Sequence, residues 1–79
     1  MLDELKTANK IVGIKQATKA VEAGKAKKAF VAKDADSKVI DPFIQLCNDK
    51  SVLIEYTDTK KELGKACGID VGAAVAVIL

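Results

Sequence analysis

Ala29-Phe30-Val31-Ala32 is an unbroken apolar run, led in by Lys27-Lys28 and followed by the polar turn Asp34-Ala35-Asp36-Ser37. A strand with one face in water alternates apolar and polar residues. This run does not alternate, so its strand is expected to be covered on both faces. A second such run ends the sequence: Ala73 to Leu79 contains no polar residue at all. Strands buried on both sides need helices on both sides. With helical segments alternating between the strands, the reading is α/β, a three-layer α/β/α sandwich.

Outward from those runs the helices can be placed. Residues 3–9 read as a short helix with Leu2 and Leu5 on one side, followed by an extended Ile11-Val12 that ends at Gly13. A helix over 15–23 is expected from Ile14, Ala17, Ala20 and Val21, which fall on one stripe, with Gly24 placed to end it. A further helix begins near Ser37–Asp41 and carries Val39, Ile40, Phe43, Ile44 and Cys47 on its inner side. Its Pro42 is expected in the first turn, where amide hydrogens lack intrahelical partners anyway. Asn48 to Ser51 is a turn, and Val52 to Thr57 a half-alternating strand. Thr59-Lys60-Lys61-Glu62 is a capping box opening a last helix, which Gly68 ends, and Ile69 to Gly72 is a loop.

Composition narrows the chemistry. Seventy-nine residues make one small domain, near the lower limit for a self-sufficient core, so most of the Ile, Leu, Val and Phe must be inside. The 13 basic residues are all Lys and are set against 11 acids, a net charge of +2; there is no His, Arg or Trp. A Ser-His-Asp triad, a His general base, a His-ligated metal and guanidinium readout of phosphate are thereby excluded within this chain. Cys47 and Cys67 are far apart, form no C-x-x-C, and lie on the apolar sides of helices. Two buried reduced thiols are expected, a disulfide being the alternative. No apolar run reaches the ~18 residues of a membrane span. The opening Met-Leu-Asp-Glu-Leu-Lys is acidic, unlike a signal peptide. A soluble cytoplasmic protein is expected, without cofactor, metal or membrane partner.

Charge is unevenly distributed. From Lys6 to Lys33 there are eight lysines and one acid, Glu22; Lys60, Lys61 and Lys65 form a second group. Such clusters suit a polyanion, and equally a merely solvated surface. Gly13-Ile14-Lys15-Gln16-Ala17-Thr18-Lys19 adds a sharper feature. A glycine ahead of a helix lets a nucleic-acid backbone come close, and the helix start offers free amide hydrogens. Lys15 and Gln16 would sit in its first turn, with hydrogen-bonding groups suited to base edges, and Thr18 and Lys19 could reach the backbone. An ordinary strand-to-helix turn is the plainer reading. In the loop, Ile69 and Val71 either pack against unstacked bases or turn inward as core. An enzyme is poorly supported: Asp34 and Asp36 read as turn and capping residues rather than metal ligands, and Cys67 has no base beyond lysines to activate it.

Three blocks then fall in register with a known family. Gly13-Ile-Lys-Gln-Ala-Thr-Lys19, Ala32-Lys-Asp-Ala-Asp36 and Leu63-Gly-Lys-Ala-Cys-Gly-Ile-Asp-Val71 resemble blocks of the kink-turn RNA-binding ribosomal proteins, the L-seven-Ae / L-thirty-e superfamily. Order and separations agree over nearly the whole chain. The Gly-x-Lys-Gln form is most similar to the short bacterial YbxF-type branch. The resemblance implies a mixed four-stranded sheet and a non-enzymatic protein that binds kink-turns, RNA helices bent at a three-nucleotide bulge beside tandem G·A pairs. It implies roles as well. Gly13, Lys15 and Gln16 would face the guanines of the G·A pairs, and Lys19 the adjoining backbone. Ile69, Asp70 and Val71 would lie against the bulge, while Asp36, Ile40 and Lys60 would line the pocket for its flipped-out nucleotide. Where the archaeal pattern has Asn-Glu, this chain has Lys15-Gln16. Gln16 can accept from guanine only through an uncharged carbonyl, and Lys15 cannot accept at all, so binding should be more salt-dependent.

The partner implied is structured RNA, ribosomal or riboswitch-like, rather than DNA, in the cytoplasm and in a ribosome-associated setting. The second function class is a protein-interaction module of the same fold, using the acidic helix around Asp41. Small size and the absence of a coiled-coil pattern favour a monomer.

Overall fold

The computed structural model describes Leu5 and residues 9–79. The helix expected over 3–9 therefore lies outside the described residues except at its edges: Leu5 is helical and wholly buried, and Asn9 belongs to no element. From there the elements are β1 (Lys10–Val12), α1 (Ile14–Glu22), β2 (Lys28–Ala32), α2 (Ser37–Asp49), β3 (Leu53–Thr57), α3 (Lys60–Ala66) and β4 (Val75–Ile78).

The strands form one mixed sheet in the order β1-β4-β2-β3. β4 runs antiparallel to both β1 and β2, whereas β2 and β3 are parallel. The two apolar runs are the two central strands, and Ala29 to Ala32 and Val75 to Val77 are buried without exception. The crossovers β1–α1–β2 and β2–α2–β3 proceed in the same direction, which places α1 and α2 on one face by the right-handed rule, and the two helices pack on each other. α3 packs over β2, β3 and β4. Full burial of the central strands requires that it cover the opposite face, giving the three-layer sandwich. The half-alternating segment is explained by its place: β3 is an edge, with Leu53 and Tyr56 67% and 48% exposed. Between β2 and β3, the Lys28 ammonium pairs with Glu55 at 3.0 Å and stands 5.2 Å from the centre of the Phe30 ring.

Among the described residues, α1, α2 and α3 end in the same way. In each, the second residue after the cap donates back five residues: Lys25 N–H to the Ala20 carbonyl, Val52 to Cys47, and Ile69 to Gly64. This Schellman closure needs a left-handed residue before the donor. Gly24 and Gly68 supply it in α1 and α3, as expected, but in α2 the residue is Ser51, at φ 58°. Pro42 departs from expectation. The helix does start at Ser37, with Asp36 as its cap, which puts Pro42 one turn further in than the first turn. Pro42 and Lys38 are both exposed, so the Lys38 carbonyl that loses its helical donor can turn to water. α2 also runs to Asp49, shortening the turn expected from Asn48, and β4 is trimmed to Val75–Ile78.

The core is built on Phe30, Phe43, Leu63, Val21, Val31, Val75 and Val77, with Leu5 and Cys47. Both cysteines are free and buried, and burial pushes their thiols up from the ordinary value.

Candidate nucleic-acid interface

Strand directions decide what the sheet brings together. β1, β2 and β3 run the same way and β4 runs against them, so three strand exits and one strand entrance share one end of the sheet. That end gathers the Gly13 corner, the 33–37 turn, the start of α3 and the loop from 68 to 74. Backbone bonds stitch these segments together: Gly13 N–H to the Val75 carbonyl at 3.1 Å, Ala32 to Ala74 at 2.9 Å, Ala73 to Lys60 at 3.0 Å, and Lys33 to Thr57 at 2.8 Å. The glycine corner and the aliphatic loop thus lie on the same end of the molecule.

The three helices that start here differ in one respect. The start of α2 is capped by the Asp36 carboxylate, which accepts from Lys38 N–H at 2.9 Å. That of α3 is capped by Thr59, accepting from Glu62 N–H at 3.0 Å, while Asp34 reaches across to accept from Lys60 N–H at 2.7 Å. α1 has no side-chain cap and no acid in its first turn. Its first intrahelical bond runs from Ala17 N–H to the Gly13 carbonyl, at 2.9 Å. The amides of Ile14, Lys15 and Gln16 therefore have no intrahelical acceptor and carry the positive end of the helix dipole. Gly13 itself sits at φ 103°, ψ 147°, a region open in practice only to glycine. Lys15, Gln16 and Lys19 are exposed, and Lys15 and Lys19, four apart, share one stripe of α1.

The loop's aliphatic residues do not turn inward as core. Ile69 and Val71 are 37% and 69% exposed, so they face outward, with Asp70 exposed between them. The loop is pinned by close backbone approach. A Cβ on Gly64, in the middle of α3, would collide with the Val71 carbonyl oxygen, and one on Gly72 would come within 3.1 Å of the Lys60 Cβ. Asp36 and Lys60 are exposed at the same end. Ile40, one turn into α2, is only 7% exposed and belongs mostly to the core. Asp34 and Asp36 are thus the turn and capping residues that the sequence suggested.

The sequence reading placed Asp34 at a turn and grouped Lys61 and Lys65 with Lys60, but assigned none of the three to the site. Asp34 joins the β2 exit to α3. Lys61 and Lys65 flank a hollow of about 320 Å³ lined also by Ile69, Asp70, Val71 and Gly72. Their i, i+4 spacing was the available signal. Among the described residues no helix is long and apolar enough to cross a membrane.

Comparison with known proteins gives a consistent picture. The family described as ribosomal protein L7Ae/L30e/S12e/Gadd45 matches residues 2–79. An RNA-binding protein of Caldanaerobacter subterraneus subsp. tengcongensis is 48% identical over 67 residues, covering 85% of this chain and 82% of that protein. RNA-binding protein YbxF of Geobacillus stearothermophilus is 41% identical over 69 residues, covering 87% and 84%. Among solved structures, the Giardia lamblia 15.5kD RNA binding protein superposes with a TM-score of 0.88 at 32% identity, covering 98% of this chain and 68% of that one.

Proposed function

Because the chain belongs to the ribosomal protein L7Ae/L30e/S12e/Gadd45 family, we propose that it binds structured RNA through the end of the sheet just described, and that its target is the kink-turn. The observation that carries this reading is the convergence of the uncapped α1 start, with Lys15 and Gln16, and the exposed Ile69 and Val71 on one end of the molecule. The names of the relatives as RNA-binding proteins support the same partner.

The division of labour follows from the chemistry. The open amides of α1, Lys15 and Gln16 meet the guanine edges of the tandem G·A pairs, with Gln16 accepting through its carbonyl and donating through its amide. Gly13 lets that RNA approach the backbone. Lys19 stands against the adjoining strand. Ile69 and Val71 offer apolar surface to the unstacked bulge, and Asp36 and Lys60 border the place of its flipped-out nucleotide, with Ile40 behind them. Binding acts by population shift: a protein that contacts only the bent RNA stabilises it by its difference in affinity for the two forms. With about four to six phosphates neutralised, log K falls against log salt with a slope of roughly −3 to −5.

A gel shift with a kink-turn and with a copy whose G·A pairs are replaced tests the proposal. Tight binding to the first and markedly weaker binding to the second is expected; equal affinity overturns it.

A further inference from the structure

The hollow beside α3 shares Ile69 and Val71 with the surface assigned above to the bulge, and adds Lys61 and Lys65, to which no role has been given. It is lined from the loop by Ile69, Asp70, Val71 and Gly72, and from α3 by Lys61 and Lys65. Both lysines are exposed, and neither they nor Asp70 forms an ion pair with any described residue. Two like charges one turn apart on a helix of seven residues weaken that helix. Glu62, the acid of α3, lies next to Lys61 in sequence and three residues before Lys65, where it offsets only part of that charge. The flank carries two cations against one acid, and it meets the aliphatic loop across a space at the small end of ligand pockets.

We infer that this hollow is a second RNA contact, in which Lys61 and Lys65 together hold the phosphate of an unpaired nucleotide adjoining the kink while its sugar or base rests on Ile69 and Val71. Charge complementarity and the match between an unstacked base and aliphatic surface select RNA as occupant. The loop's fixed backbone, held at Gly64 and by the Ala73 N–H to Lys60 carbonyl bond, keeps the two walls at a set distance without the RNA having to order them. Asp70, which also lines the hollow, disfavours a second phosphate and so limits the site to one nucleotide.

The inference rests on the kink-turn reading, and the two can fail separately. The test compares wild type, the double variant Lys61→Gln/Lys65→Gln, and a control with the same loss of charge at the opposite end of the sheet, Lys25→Gln/Lys27→Gln. Each is titrated with a kink-turn RNA over a range of salt, and circular dichroism checks folding. The first pair should bind at least about fivefold more weakly at low salt, with a salt slope shallower by about one, since the two lysines share one phosphate and each lost phosphate contact removes about one. The control should change affinity less than about twofold. Unchanged affinity and slope in the Lys61/Lys65 pair, or equal losses in both pairs, overturn the second contact while leaving the kink-turn reading standing. Failure of wild type to prefer the kink-turn over its G·A-replaced copy instead removes the reading on which it rests.

Discussion

Replacing Gly64 by Ala sets two effects of opposite sign against each other. Gly64 is in the interior of α3, and on helix propensity alone Ala should stabilise by about 0.8–1 kcal/mol. The added methyl group, however, points into the backbone of the 69–72 loop, at the Val71 carbonyl. A flexible side chain could swing aside, but a carbonyl in a loop tied down at both ends cannot. The Ile69 N–H to Gly64 carbonyl and the Ala73 N–H to Lys60 carbonyl bonds, each 3.0 Å, are those ties. Overpacking of this kind costs about 1–3 kcal/mol, and straining two hydrogen bonds adds about 1 kcal/mol apiece at most. The net expectation is a loss of about 1–3 kcal/mol. With a urea slope of about 1 kcal/mol/M for a chain this small, the unfolding midpoint should fall by about 1–3 M. The same variant should bind kink-turn RNA more weakly, because the loop moves with its support. A midpoint at or above that of wild type would show that propensity wins, and that the loop is not held by contact with Gly64.

Other outcomes follow from the site and from the frame. Gln16→Ala should weaken kink-turn binding at least about tenfold in a filter-binding titration with folding unchanged, and an unaltered constant refutes the contact with guanine. Ser51→Gly should raise the urea midpoint, by about 0.5 kcal/mol in stability, because the left-handed backbone at φ 58° suits glycine; a lower midpoint counts against strain at that turn. The hydrogen bond from Lys28, aided by its charge and opposed by partial burial, holds the Glu55 carboxyl below the ordinary range. The folded value is the lower one, so this pair's stabilisation is present above the ordinary glutamate value and is lost as pH falls through the folded value. Unfolding curves of wild type and Glu55→Gln should therefore differ at pH 7 and converge on acidification below about pH 4; a constant gap dismisses the pair.

What local pattern could reveal here was the identity of elements and the way they end. Unbroken apolar runs marked the two central strands because burial on both faces leaves no position for a polar residue, and Gly24 and Gly68 marked helix ends because those closures need a positive φ. Pro42 shows the limit: a rule for isolated helices placed it in the first turn, but an exposed face lets water replace the missing donor. Ser51 was legible as part of a turn but not as its left-handed residue, since nothing in a serine marks a positive φ. At the site, Gly13, Lys15 and Gln16 were legible as a corner followed by a helix start. Their meeting with the loop was not, because it depends on β4 entering the sheet against the direction of β1. Nothing in either segment records that pairing. The role of Gly64 was equally hidden, as a clash with a chain segment seven residues on appears only in three dimensions.

The placement of β4 also has a consequence for how the molecule comes into being. β4, the last of the described strands in sequence order, is the one that joins β1 to the β2–β3 pair, and its two ladders cannot form before it arrives. No smaller part of the sheet encloses a finished core. Such distant pairings slow folding relative to a helical protein of the same length, because chain closure must precede the gain from contact. During synthesis, then, the nascent chain should stay protease-sensitive until Val75–Ile78 are free to dock. The binding surface should likewise appear in a single step at that moment, since the corner and the loop acquire their common side only when this seam closes.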